Sequence, residues 1–97
     1  MQKIALIVYN EALDMEVMEV IGKCGLNNYT KIPAVFGKGT TSGVHLDNDI
    51  WPGRNTILFT VCEEQQAKDI LACVRELRKK LGKEGVKAFA LPVEEVT

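Results

Sequence analysis

TILFTVCEEQQAKDILACVRELRKKL, residues 56–81, is the stretch that decides the fold. Thr56 to Cys62 is largely apolar and rich in β-branched and aromatic residues, the pattern of a strand buried on both faces. The period changes at Glu63. Ala67, Ile70, Leu71, Val74, Leu77 and Leu81 then recur at helical spacing and form one apolar stripe. Acidic residues open this helix over Glu63 to Leu81, and Arg78, Lys79 and Lys80 close it. Both ends therefore suit the helix dipole, and Gly82 supplies a stop.

The same unit precedes it. Lys3 to Tyr9 is almost continuously apolar and reads as a second strand buried on both faces. Asn10 is placed to cap a helix, with Glu11 and Asp14 in its first turn. Leu13, Val17, Val20, Ile21 and Cys24 carry the helical period, so this helix runs from Glu11 to Cys24. Gly25 stands where a left-handed residue ends a helix, and Leu26 can pack back on Ile21. Tyr29 to Phe36 reads as a less apolar strand containing Pro33, which marks an edge strand or a bulged one. Val86 to Val93 is the last strand, with Pro92 near its end.

The order is β-α-β, long loop, β-α-β. It predicts a single α+β domain over residues 1–97, a ferredoxin-like β-α-β-β-α-β sandwich. A four-stranded antiparallel sheet carries both helices on one face, with the first and third strands central. Two helices cover only one face. Ile4, Leu6 and Val8 alternate with Ala5, Ile7 and Tyr9; Ile57, Phe59 and Val61 alternate with Leu58, Thr60 and Cys62; Phe89 and Leu91 alternate with Ala88 and Ala90. The uncovered face is thus an apolar patch larger than monomers normally expose. The expectation is a homo-oligomer that packs these faces together; the alternative is a loop folded over the face of a monomer.

Composition narrows the function. The chain has 97 residues, is 46% hydrophobic and 26% charged, and has a formal net charge of −1. That balance gives no electrostatic reason to expect nucleic acid or an acidic membrane as partner. No apolar run approaches a membrane span, so no direct insertion is expected. MQKIALIVYN at the start reads as a strand and not as a signal peptide. Three cysteines without CxxC spacing, Cys24, Cys62 and Cys73, predict reduced, buried thiols and a cytoplasmic location.

The chemistry concentrates in Gly37 to Asn55, GKGTTSGVHLDNDIWPGRN, which holds the only His and the only Trp. A run without periodicity in so small a domain is usually functional or disordered. Gly37, Lys38, Gly39, Thr40 and Ser42 offer backbone amides, hydroxyls and one cation, a set suited to a phosphate. Neither GxxxxGK[ST] nor GxGxxG spacing is present. His45, Asp47 and Asp49 alternate and in an extended segment could offer a divalent metal one nitrogen and two oxygens. Trp51, beside Pro52 and Gly53, reads as a loop anchor or a plug into a neighbouring subunit. Catalysis is poorly supported: the thiols lie in core-like patterns, the single histidine is in the loop, and Glu63, Glu64, Glu94 and Glu95 read as solvated charges. No enzyme is expected.

VFGKGTTSGVH at residues 35–45 and GKEGVKAFALPVEE at residues 82–95, with this element order, resemble the nitrogen-regulatory PII proteins and their PII-like relatives. The resemblance covers nearly the whole chain. It implies a cytoplasmic homotrimer with its sheets packed inward and a long loop (the family's T-loop) that reaches a transporter or an enzyme. It also implies a cleft between subunits for an adenine nucleotide, ATP, ADP or AMP. Gly37, Lys38 and Gly39 would lie beside the phosphates, with Lys83, Gly85 and Lys87 near the second ligand loop. The chain departs from the family in three places. Only GKEGVKAF stands where the family has a TGxxGDGxIF-type segment, Gly37 to Asn55 contains no tyrosine, and the end, PVEEVT, carries no arginine. These departures point away from uridylylation and from classical ATP and 2-oxoglutarate sensing. The Trp-x-Gly at residues 51–53 is similar to the CutA proteins, which implies the alternative of a metal-tolerance protein using His45 and the loop carboxylates; a ligand-free assembly module is a third reading.

Overall fold

The structure, a computed structural model, describes residues 1–37, 54–82 and 85–97. Strand β1 spans Gln2–Asn10. A short 3-10 turn, Glu11–Leu13, leads into helix α1, Asp14–Lys23. Strand β2 is Thr30–Phe36, strand β3 Arg54–Glu63, helix α2 Glu64–Leu81 and strand β4 Val86–Pro92. The sheet is four-stranded and antiparallel in the order β2-β3-β1-β4, so β1 and β3 are central. This is the ferredoxin-like arrangement that the strand patterns predict.

Local chemistry sets the boundaries. The Asn10 side chain accepts a hydrogen bond from the Ala12 N–H at 2.9 Å and caps the turn. At the far end of α1, Gly25 takes φ +97°. Its N–H reaches the Gly22 carbonyl, and the Leu26 N–H reaches Ile21, a paired stop that seats Leu26 in the core. Gly82 closes α2 by donating to the Arg78 carbonyl.

The core lies between the sheet and the helices. Ala5, Ile7 and Tyr9 of β1, Leu58 and Cys62 of β3 and Val86 of β4 meet Val17 and Ile21 of α1 and Ala67, Ile70, Val74 and Leu77 of α2. Each fully buried apolar side chain stabilises the fold by roughly 1.5–3 kcal/mol. Among the described residues, nothing covers the opposite face. Register places Ile4, Val61 and Leu91 in one row, Leu6, Phe59 and Phe89 in the next, and Val8, Ile57 and Lys87 in a third. Val61 is 43% exposed, Leu91 44% and Phe89 49%.

Two features refine or correct the sequence reading. Strand β2 is both an edge and a bulged strand: its register with β3 shifts between Ile32 and Val35, across Pro33 and Ala34. Ala34 has φ +57°, a conformation that costs a residue with a Cβ about 1–2 kcal/mol. The second concerns the cysteines. Cys24 and Cys73 are not reduced thiols but a disulfide joining the end of α1 to α2, with their Cα atoms 6.5 Å apart. The pairing depends on helix packing, to which sequence spacing is blind. Cys62 is a free, buried thiol, as expected.

Candidate functional site

Segment 38–53 leaves and rejoins the sheet at one end, between β2 and β3. Phe36 pairs in register with Arg54, and Asn55 pairs with Asn10 across β3 and β1. Gly37 follows Phe36 so closely against β3 that a Cβ there would stand 2.9 Å from Asn55 Nδ2. On the other side, Tyr9 pairs with Val86, and the Asn10 N–H donates to the Gly85 carbonyl at 2.9 Å. Gly37 and Gly85 therefore stand at the same end of the sheet. Gly85 also lies against the first helical turn, where an added Cβ would meet Leu13 Cδ1 at 2.6 Å.

Of the residues singled out from the sequence, the structure places Gly37 and Gly85 at the same end of the sheet, beside its two outer strands β2 and β4. Lys87 is exposed two residues further along β4, opposite Val8 on the uncovered face. Lys38, Gly39, Thr40, Ser42, His45, Asp47, Asp49, Trp51 and Lys83 lie outside the described residues. Among the described residues, no group of three or more His, Cys, Asp and Glu side chains could hold a metal ion.

The sequence reading passes over the polar groups of β1 and β3 at this end. Glu11 Oε1 accepts from Arg54 Nε at 3.2 Å, which fixes one guanidinium at the loop's exit. Asn10, Asn55 and Arg54 thus add amides and a cation beside Gly37 and Gly85. The sequence reading begins this strand at Thr56; β3 in fact opens at Arg54, which places it opposite Phe36, the last residue of β2. This end of the sheet thus carries two side-chain amides and a cation, the cation paired with Glu11.

Behind it sits a charged network. The Tyr9 hydroxyl, carried on a buried ring, donates to Asp14 Oδ1, and Lys31 Nζ reaches the same oxygen at 2.9 Å. Burial, and then the Asp14 carboxylate, push the Tyr9 hydroxyl well above its ordinary value. The hydrogen bonds from Tyr9 and from Lys31 hold the Asp14 carboxyl below its usual range. The network ties β2, the strand that feeds the loop, to the start of α1. At the opposite end of the sheet, a cavity of about 150 Å³ lies between Lys3, Glu64, Ala67, Lys68, Leu71 and Ala90.

The family model for Nitrogen regulatory protein P-II matches residues 1–97. No curated protein matches the chain. A PII-like signaling protein from Thermus thermophilus superposes with a TM-score of 0.63 at 26% identity, over 92% of this chain and 82% of that one. CPII from Thiomonas intermedia K12, bound to ADP, AMP and acetate, gives a TM-score of 0.68 at 16% identity, over 93% and 83%. Another structure of CPII, a nitrogen regulatory PII-like protein bound to ADP, AMP and bicarbonate, gives 0.64 at 15%, over 99% and 96%. No helix among the described residues is long and apolar enough to cross a membrane.

Proposed function

We propose that this chain, which belongs to the nitrogen regulatory protein P-II family, is a regulatory protein and not an enzyme. It receives an adenine nucleotide at the sheet end that carries Gly37 and Gly85. One observation carries the reading: two glycines far apart in sequence stand at one end of the sheet, beside the cation of Arg54. The phosphates are met by Gly37, Lys38, Gly39, Thr40, Ser42, Lys83 and Gly85, with Lys87 nearby. CPII, of the same fold, has structures bound to ADP and AMP, which supports this ligand class.

The unit is a homotrimer in the cytoplasm. Three copies bury the apolar face that one copy leaves open, and the nucleotide sits where subunits meet. A ligand that binds only one arrangement of segment 37–55 shifts its population, and a transporter or enzyme reads that shift. Calorimetry with ATP, ADP and AMP tests the reading. We expect saturable heat with wild-type protein and at least about a tenfold weaker affinity for Lys38→Ala, the loss of one charge-assisted contact. Absence of heat with all three nucleotides overturns the ligand. Sedimentation as a monomer at micromolar concentration overturns the trimer.

A further inference from the structure

We propose that Cys24 and Cys73 are a reversible redox modification site, oxidised by thiol–disulfide exchange with a small-molecule disulfide of the glutathione class. The Cα separation of 6.5 Å falls inside the roughly 4.4–6.8 Å that a disulfide spans without backbone movement. Each cysteine is held in place independently of the bond. Cys24 caps α1, its N–H shared between the Val20 and Ile21 carbonyls, and Cys73 is 9% exposed within the core stripe of α2. The reduced state is also provided for. Cys73 Sγ lies 3.7 Å from the Val20 carbonyl, to which a reduced thiol donates. A pair in which one thiol has an acceptor waiting is suited to switching, whereas a permanent staple needs none in the reduced state.

Accessibility sets the order of events. Cys24 is the more exposed of the two residues. Its thiolate attacks the glutathione disulfide, a mixed disulfide forms at Cys24, and one glutathione thiolate leaves. The Cys73 thiolate then attacks Cys24 Sγ and displaces the second. The chain gives up two electrons, the donor gains them, and the two thiol protons pass to the departing thiolates. Cys62 takes no part: it is buried on β3, and burial, then the Glu63 charge, push its thiol up and lower its reactivity.

The bond spans a sequence separation of 49 and encloses β2, segment 37–55 and β3 in one covalent ring. It fixes the corner from Gly25 to Tyr29, where Leu26 is buried and the Gln66 side chain already donates to the Gly25 carbonyl at 3.2 Å. Oxidation therefore stiffens the approach to the strand that feeds the loop. This inference does not depend on the nucleotide reading.

Folded Cys62→Ala protein is equilibrated in glutathione buffers of increasing oxidised fraction, quenched in acid, alkylated and weighed. We expect both remaining thiols to be lost together, and to return with excess reduced glutathione without denaturant. We expect the oxidised form to melt roughly 10 °C higher, with slower amide exchange over residues 25–36. Cys24→Ser and Cys73→Ser form no internal bridge. If Cys62→Ala does not fold, peptide mapping of wild-type protein reads the same Cys24–Cys73 link. Thiols that stay alkylatable in the most oxidising buffer overturn the proposal. So does a mixed disulfide that never resolves, or a bridge that the native protein will not give up to reductant.

Discussion

On the helix side of β1, Ala5, Ile7 and Tyr9 are each 1% exposed, whereas Ile4, Leu6 and Val8 on the other side are only half-buried. On β3, Leu58 is sealed while Val61, three residues on, is largely open. The two faces carry similar residue types, so side-chain chemistry does not separate them. Two helices cover one face, and nothing within the described chain covers the other. An apolar face of this extent is a surface shaped for contact, and a copy of the same sheet has the complementary character. The asymmetry therefore separates the face that stabilises the single chain from the face on which the proposed trimer rests.

That separation can be broken by substitution, and the largest effect belongs to the covered face. Leu58→Ala should cost about 2–5 kcal/mol in urea denaturation, because it empties a fully enclosed site. Phe89→Asp, on the open face, should change chain stability by less than about 1 kcal/mol while moving sedimentation to the monomer. Equal loss of fold from both substitutions would end the distinction.

Tyr9→Phe comes next, since it removes the hydroxyl that links the covered face to Asp14. It should cost about 1.5–3 kcal/mol, the usual contribution of a hydrogen bond to a charged partner. The pH dependence has two limbs. Asp14 is held below its ordinary value of 3.8, so its contribution is present above that pH and is lost as pH falls through the lower, folded value. Tyr9 is raised above its ordinary 10.0, so the unfolded chain ionises first and stability falls as pH rises past that point. Tyr9→Phe should abolish the Tyr9 part of the alkaline fall and weaken the acid limb; unfolding titrations on both sides of neutrality would show it. The smallest effect should be on β2, which neither face claims. Ala34→Gly relieves the left-handed backbone and should stabilise by about 0.5–1 kcal/mol, read as a small rise in the denaturation midpoint.

Much of this was legible from residue order. Continuous apolar runs at Lys3–Tyr9 and Thr56–Cys62 placed two strands at the centre of the sheet, because only central strands of a covered sheet need both faces apolar. Asn10, Gly25 and Gly82 marked helix ends through backbone chemistry that acts within a few residues. What escaped was chemistry between elements. The Cys24–Cys73 pairing follows from how α1 lies on α2. Asp14 reads as a dipole-matched acid, and only the fold shows it between Tyr9 and Lys31. Arg54 reads as the tail of a polar loop until β2 and β3 are paired. The glycines at 37 and 85 were legible by type, but their placement at the same end of the sheet is a property of strand order.

The bulge at Pro33 and Ala34 has one more consequence. In the order β2-β3-β1-β4, the outer strands are β2 and β4, and each carries a proline, Pro33 and Pro92. A strand edge recruits a stranger's backbone by offering an unbroken row of N–H and C=O groups. Here each row is missing a donor, and on β2 it is also bent out of line. In the proposed trimer, where open faces meet through side chains, these margins are poor templates for copying through backbone, which favours a closed assembly over a growing fibre.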